Sequence, residues 1–173
     1  MAAGFAETGV ASRDELLNSP GYPSEARLAK GAVAVIECMQ EIPCDPCESA
    51  CPSGAITVGE PITNVPVLDG EKCIGCGLCI AACPGQAIFL VNLRFAADEA
   101  LVAFPYEFLP LPEVGSPVEA VNRSGEVVTV GRVVRVIDSP KQDRTPIVHF
   151  AVPQAFAHEV RSIKRGRQPD RAR

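Results

Sequence analysis

Eight cysteines in two groups are the residues of this sequence whose type and spacing could support chemistry. Residues 73–84 read Cys-Ile-Gly-Cys-Gly-Leu-Cys-Ile-Ala-Ala-Cys-Pro, which is the pattern C-x2-C-x2-C-x3-C-P. The other group is Cys38, Cys44, Cys47 and Cys51, followed by Pro52. Thiolates are soft ligands that bind iron–sulfur clusters and zinc, so two groups of four could supply two metal centres.

The two groups are copies of one another at an offset of 32 residues. The offset places Cys44, Cys47 and Cys51 on Cys76, Cys79 and Cys83, and it places Cys-Pro-Ser-Gly-Ala-Ile on Cys-Pro-Gly-Gln-Ala-Ile. Only Cys38 falls out of register with Cys73, because five residues instead of two separate it from the next cysteine. A three-residue insertion in the first loop explains the difference. Such a duplication predicts two halves that pack about a pseudo-twofold axis and enclose two centres.

Each copy is predicted to contain a strand, a cysteine loop, a short helix and a second strand. Within the first half we expect residues 33–36 to pair with residues 55–58. Within the second half we expect residues 66–68 to pair with residues 87–91. The strand that ends near Cys38 would deliver this thiol to a metal centre.

Residues 31–92 resemble the dicluster ferredoxins of bacteria. Residues 73–84 match the family pattern fully, and residues 38–52 match it except for the widened first gap. The resemblance implies two [4Fe–4S] clusters and a crossed pattern, in which the fourth cysteine of each motif serves the other cluster. The first cluster would be held by Cys38, Cys44, Cys47 and Cys83, and the second by Cys73, Cys76, Cys79 and Cys51.

Three alternatives are compatible with the cysteine pattern. Two C-x2-C pairs can form a structural zinc site. The first motif could be degenerate, which would leave a single cluster. The enlarged loop could also carry Cys38 away from its site and leave a three-iron or labile centre. Because Cys38 follows a predicted strand at the place where a ligand is needed, direct ligation is the expectation.

A narrower resemblance rests on residues 36–47, Ile-Glu-Cys-Met-Gln-Glu-Ile-Pro-Cys-Asp-Pro-Cys, and on the strand-rich C-terminal part. Both are similar to the small iron–sulfur subunits of multi-subunit FAD-dependent dehydrogenases of amino acids, of the proline, hydroxyproline and opine type. This resemblance implies partner subunits that carry FAD and oxidise the substrate, while this chain passes the electrons onward. A free ferredoxin-type electron carrier and a non-redox interaction protein stapled by metal are the alternative functions.

The sequence predicts an α+β fold in four segments. Residues 1–30 form an N-terminal arm, in which Ser12-Arg-Asp-Glu15 has the pattern of a capping box and predicts a short helix over residues 13–18. Residues 31–92 form the ferredoxin-like domain, and residues 93–153 form a small antiparallel β module. Gly131 interrupts a strand-rich run and predicts a bulge or bend there.

The last segment, residues 154–173, is predicted to be a helix followed by a basic tail. The helix is expected over residues 154–164, because Phe156, Val160 and Ile163 recur at helical spacing. Six basic residues and one acidic residue lie between positions 161 and 173, in a chain of net charge −5. Such a tail could contact an anionic surface, but a solvated terminus is the simpler interpretation, and we expect no nucleic-acid partner.

The remaining patterns argue against a catalytic site in this chain of 173 residues. It contains neither a Gly-x-Gly-x-x-Gly motif nor a phosphate-binding loop, and its two histidines, His149 and His158, are expected to be packed or solvated. No secretory signal is visible in residues 1–20, and no apolar run is long enough to span a bilayer. We therefore expect a cytoplasmic protein whose clustered cysteines bind metal instead of forming disulfides.

Overall fold

Nine strands and five short α-helices make up the part of the chain that the computed structural model describes, residues 4–142 and 144–165. The helices are α1 (Phe5–Thr8), α2 (Arg13–Leu17), α3 (Glu25–Leu28), α4 (Pro46–Ser49) and α5 (Leu78–Ala82). The strands are β1 (Val33–Ile36), β2 (Ile56–Thr57), β3 (Val67–Leu68), β4 (Ile88–Asn92), β5 (Glu99–Pro105), β6 (Pro117–Val121), β7 (Val127–Ile137), β8 (Ile147–Pro153) and β9 (Ser162–Ile163). Two 3₁₀ turns, Pro140–Gln142 and Gln154–Phe156, complete the fold.

Seven of the strands form one antiparallel sheet in the order β1-β4-β5-β8-β7-β6-β9, and β2 and β3 form a separate hairpin. Strand β4 belongs to the cysteine-rich part of the chain, yet it pairs with β5, where Val91 lies opposite Val102. The sheet therefore runs without a break across residue 92. The division of the chain at residues 30, 92 and 153 stays a prediction.

The expected pairing of strands within each half is wrong. Strand β1 pairs with β4, so that Ile36 lies opposite Ile88, and β2 pairs with β3, so that Ile56 lies opposite Leu68. Each strand therefore finds its partner in the other half. The described residues between β2 and β3 contain no helix, so these two strands form a hairpin. A cysteine loop and a helix, by contrast, separate β1 from β2 and β3 from β4. A pseudo-twofold relation between the halves stays a prediction.

All four residues of β1 are buried. Because successive side chains point to opposite sides of a strand, β1 is buried on both of its faces. Val33 and Val35 pack into the larger core, which lies under the seven-stranded sheet. Ala34 and Ile36 pack into a second core that includes the buried cysteines Cys47 and Cys79. The alternation of β1 thus presents one apolar face to the sheet core and the other to the cysteine sites.

The short helix predicted in the N-terminal arm is confirmed as α2, and so is its capping box. The Ser12 Oγ accepts from the Glu15 amide at 3.3 Å, and the Glu15 carboxylate accepts from the Ser12 amide at 2.8 Å. The same carboxylate accepts from the Phe5 amide at 2.9 Å. These hydrogen bonds hold the pKa of Glu15 below its ordinary value. Glu15 therefore fixes both α2 and the start of the described chain.

The predicted C-terminal helix is wrong. Residues 154–156 form a 3₁₀ turn, and β9 pairs with β6, where Ile163 lies opposite Ala120. The amides of Arg161 and Lys164 donate to carbonyl oxygens of β6 and its end, so they are not available to a helix. Val160 and Ile163 are both buried, and their helical spacing arises because two separate short pieces enter the same core. The basic tail that was predicted to follow lies, from residue 166 onward, outside the described residues.

The bulge predicted at Gly131 is also misplaced. The β7–β8 register shifts between Val133 and Arg135 instead. At Gly131 a side chain would collide with the Phe150 ring, and its Cβ would lie 2.5 Å from the Ala151 carbonyl oxygen. Glycine is needed here because the β7 backbone lies too close to Phe150 and Ala151 of the neighbouring strand β8 to leave room for a side chain.

Candidate iron–sulfur sites

The first candidate site is a cavity beside the end of β1 and the start of α4. It encloses about 370 Å³ between protein atoms, including the part that opens to solvent. Ile36, Ile42 and Ile88 supply much of its apolar wall. Its cysteines are Cys38, Cys44, Cys47 and Cys83. Cys38 lies in this wall although its loop is enlarged.

The second candidate site is a cavity beside α5 and the loop that precedes it. It encloses about 310 Å³, again including its open part, and Ala34, Ile56 and Leu90 contribute to its wall. Its cysteines are Cys51, Cys73, Cys76 and Cys79. Cys79 is buried, whereas Cys76 is exposed at the surface of the protein.

The structure thus sorts the eight cysteines into the two sets that the crossed pattern predicts. Helices α4 and α5 pack against each other and explain this sorting. Cys47 on α4 faces the first cavity, while Cys51, two residues beyond that helix, faces the second. In the same way, Cys79 on α5 faces the second cavity, while Cys83 at the end of that helix faces the first. Ligation by each cysteine stays a prediction.

Burial and neighbouring thiols raise the pKa values of the two buried cysteines, Cys79 and Cys47. Burial, together with Cys73, Cys76 and Cys51, raises the pKa of Cys79 to about 12. In the other cavity, burial and Cys83 are the main causes that raise the pKa of Cys47 to about 11. Four thiolates held this closely repel each other unless a cationic centre lies between them. The donor set therefore fits a metal cluster with four thiolate ligands.

Backbone amides donate to several of the cysteine sulfurs. The Ala34 amide lies 3.5 Å from the Cys73 Sγ, the Ala55 amide 3.2 Å from the Cys51 Sγ, and the Ala87 amide 3.4 Å from the Cys83 Sγ. A hydrogen-bond donor stabilises the negative charge of a thiolate. These amides therefore favour the ionised form that metal binding requires.

Arg27, in the N-terminal arm, holds the loop that leads into the second site. Its Nε donates to the Gly70 carbonyl at 2.5 Å, and its Nη2 donates to the carbonyls of Ala32 and Cys73 at 3.0 Å and 2.8 Å. Its Nη1 donates to the Gly31 carbonyl at 3.2 Å. One guanidinium thus ties the start of β1 to the first residue of the second cysteine motif.

A buried ion-pair network lies next to the first site. Glu37, which directly precedes Cys38, accepts from Arg123 through both carboxylate oxygens and from the Arg161 Nε at 2.7 Å. The Arg161 guanidinium also lies over the Phe89 ring, 5.0 Å from its centroid. Burial raises the pKa of Glu37, but Arg123 and Arg161 lower it by more. The network connects the first site to β6 and β9.

Arg27 and the Glu37 network were missed in the sequence because their partners are distant along the chain and no motif marks them. Ser53 lines the second cavity and could have been found from the 32-residue offset, because the two copies differ there: the counterpart of Ser53 is Gly85.

The two histidines lie outside both cavities. His149 is part of β8, and His158 follows the 3₁₀ turn, where its Nδ1 lies 3.0 Å from the Tyr22 hydroxyl.

Residues 37–90 match the model of the 4Fe-4S dicluster domain family. This segment is therefore a ferredoxin-like iron–sulfur domain, and two [4Fe–4S] clusters are its cofactors. The match supports iron–sulfur clusters over the zinc alternative. In residues 4–142 and 144–165, no three His, Cys, Asp or Glu side chains are arranged to hold a single metal ion.

Curated relatives match part of the chain. An uncharacterized ferredoxin of Methanocaldococcus jannaschii is 41% identical over 70 residues, which cover 39% of this chain and 42% of the relative. One subunit of an ion-translocating oxidoreductase complex of Methanosarcina acetivorans is 46% identical over 59 residues, 34% of this chain and 20% of the relative. The polyferredoxin-like subunit of an aliphatic sulfonate oxidoreductase of Pyrococcus furiosus is 51% identical over 41 residues, 24% of this chain and 23% of the relative.

The chain spans less than half the length of each of these relatives. No solved structure matches it. None of the helices among the described residues is both long and apolar enough to cross a membrane.

Proposed function

We propose that this chain is an electron-transfer subunit that relays electrons through its two [4Fe–4S] clusters. The electrons pass between an FAD-containing partner subunit, of the amino-acid dehydrogenase type, and an external acceptor. The observation that carries the proposal is the pair of neighbouring cavities, each lined by four cysteines and linked by α4 and α5. When bound, the clusters supply one-electron chemistry, and the chain sets their environment.

The proposed ligands follow the two cavities. Cys38, Cys44, Cys47 and Cys83 hold the first cluster, and Cys51, Cys73, Cys76 and Cys79 hold the second. The apolar side chains of Ile36, Ile88 and Leu90 exclude water from the inner walls of the sites. The exposed Cys76 marks the place where an electron can leave or enter the second site.

Two observations support a subunit over a freely diffusing carrier. The chain exposes the large apolar side chains of Phe108, Leu109 and Val114, of which Leu109 is 65% and Val114 is 64% exposed. Exposed apolar surface of this kind is typical of a face that another protein covers. The Methanosarcina and Pyrococcus relatives are named as subunits of oxidoreductases.

All eight cysteines are free of disulfides, which agrees with a cytoplasmic location.

Anaerobic purification of the chain from its native cells tests this function. We expect iron and acid-labile sulfide in the amounts of two [4Fe–4S] clusters and co-elution with a flavoprotein. Co-expression of the chain with and without that flavoprotein is the control, and amino-acid-dependent reduction of the clusters should require both proteins. A cluster-loaded monomer without bound flavoprotein would favour a free ferredoxin-type carrier. Zinc without sulfide would contradict electron transfer altogether.

A further inference from the structure

The two cysteines that cross to the opposite site, Cys51 and Cys83, have equivalent positions in the duplicated motif but different surroundings. Each accepts a hydrogen bond from the amide four residues later: Ala55 donates to Cys51 at 3.2 Å, and Ala87 donates to Cys83 at 3.4 Å. This backbone contact is the same in both copies. This contact therefore does not distinguish Cys51 from Cys83.

The side chain that differs is that of Ser53. Its Oγ lies 3.6 Å from the Cys51 Sγ, whereas the equivalent residue beside Cys83 is Gly85, which has no side chain. A cysteine that ligates a metal has lost its proton and can only accept a hydrogen bond. The Ser53 hydroxyl is therefore the donor in the loaded protein.

Cys51 thus has a side-chain donor, the Ser53 hydroxyl, in addition to the backbone donor that it shares with Cys83. Each donor to a thiolate stabilises negative charge on the sulfur.

A second difference has the opposite sign at the first site. A residue with a carboxylate, Asp45, directly follows Cys44 at the first site. The offset places Gly77 at the equivalent position of the second site, so no carboxylate follows Cys76 there. One site thus has an added hydrogen-bond donor, and the other has an added negative charge.

A one-electron reduction adds one negative charge to a cluster and its four thiolates. Donors to the ligand sulfurs stabilise that charge and raise the reduction potential, while a nearby carboxylate lowers it. We propose that Ser53 makes the two sites unequal, so that the second cluster, held by Cys51, Cys73, Cys76 and Cys79, is reduced first. An external one-electron donor supplies the electron, no protein bond forms or breaks, and no proton moves. The inference rests on the proposed function.

The test is a redox titration of the anaerobic, cluster-loaded full chain, followed by electron paramagnetic resonance. Ser53→Ala should lower the higher of the two potentials by an amount equal to about a tenfold change in the electron-transfer equilibrium, about 59 mV for one electron. Gly85→Ser should raise the lower potential, because a Cβ at this position would lie 3.9 Å from the Cys83 Sγ, in ordinary contact. Ser53→Thr keeps the hydroxyl and should keep the wild-type potentials.

Iron and sulfide analysis of each variant separates this inference from the proposed function. If both clusters are present and Ser53→Ala leaves the higher potential unchanged, or shifts only the lower one, the inference is overturned while the function stands. The same holds if Ser53→Thr behaves like Ser53→Ala. A wild-type chain without clusters would overturn the proposed function and this inference together.

Discussion

The Nε of Arg161 donates a hydrogen bond of 2.7 Å to the Glu37 carboxylate, although 124 residues separate the two along the chain. Arg161 is only 5% exposed, and its Nη2 has no hydrogen-bond partner among the described residues. A second arginine, Arg123, binds the same carboxylate. Glu37, the residue next to Cys38, is thus held in place by two arginines that lie far from it along the chain.

Replacing Glu37 by alanine should destabilise the protein strongly. The substitution leaves the buried Arg161 without its counter-charge, and a broken buried ion pair costs about 3–5 kcal/mol. Denaturant unfolding of the cluster-loaded chain measures the loss. Glu71→Gln, which breaks the exposed pair between Glu71 and Lys30, is the control and should cost at most about 1 kcal/mol. Equal stabilities of the two variants would show that the Glu37 network does not hold the fold.

Replacing Cys76 or Cys44 by alanine should remove one cluster each. The two residues are equivalent in the duplication but line different cavities, so each variant should keep about half of the iron and sulfide. Iron and sulfide analysis under anaerobic conditions gives the content. Ile74→Ala, which changes an exposed side chain beside Cys76, should keep the full content. Normal content in either cysteine variant would show that the ligand assignment is incorrect.

Replacing Arg27 by lysine should loosen the second site while it leaves the first intact. A lysine keeps the charge but cannot reproduce the guanidinium fork that binds the carbonyls of Gly70, Ala32 and Cys73. Because each bond to a charged group contributes about 1.5–3 kcal/mol, we expect half of the iron to be lost to a chelator about tenfold faster. Arg94→Lys, at an exposed position, is the matched control. Equally fast loss from both sites would argue against a local role.

Protonation of His158 should weaken the contact between the C-terminal turn and Tyr22. Burial, Arg13 and Arg161 lower the pKa of His158, with a smaller lowering by Arg123 and an opposing effect of Glu25. The unfolded chain therefore binds the proton more readily. The stabilisation is complete above the ordinary value near pH 6.5 and is lost as the pH falls from there through the lowered folded pKa.

Unfolding midpoints between about pH 8 and pH 5 check this dependence. His158→Gln should flatten the profile. It should not abolish the slope, because burial and Arg135 also lower the pKa of His149, which the variant retains. An unchanged profile would show that His158 titrates alike in the folded and unfolded states.

The cysteine spacing was sufficient to predict the cofactors, because three of the four cysteines of each motif lie within one short loop and helix. The crossed sorting of the thiols into two sets came from the ferredoxin resemblance. The capping box of Ser12 and Glu15 was predictable because its residues are also close along the chain. The strand pairing could not be predicted from the sequence, since residues 33–36 could have paired with β2 or with β4. The structure pairs β2 with β3 across a short connection, and β1 pairs with β4. Ile163 misled the helix prediction because spacing does not distinguish a helix face from two buried short pieces.

The pairing of β4 with β5 determines how the clusters can be used. Strand β4 follows the last cysteine, and it pairs with β5, the strand that leads into the segment with the exposed side chains of Phe108, Leu109 and Val114. The cysteine sites cannot swing on a tether in the manner of a mobile carrier domain. A partner that docks anywhere on the strand-rich part consequently meets the clusters at a fixed distance and orientation, so the rate of electron exchange is set by where the partner binds.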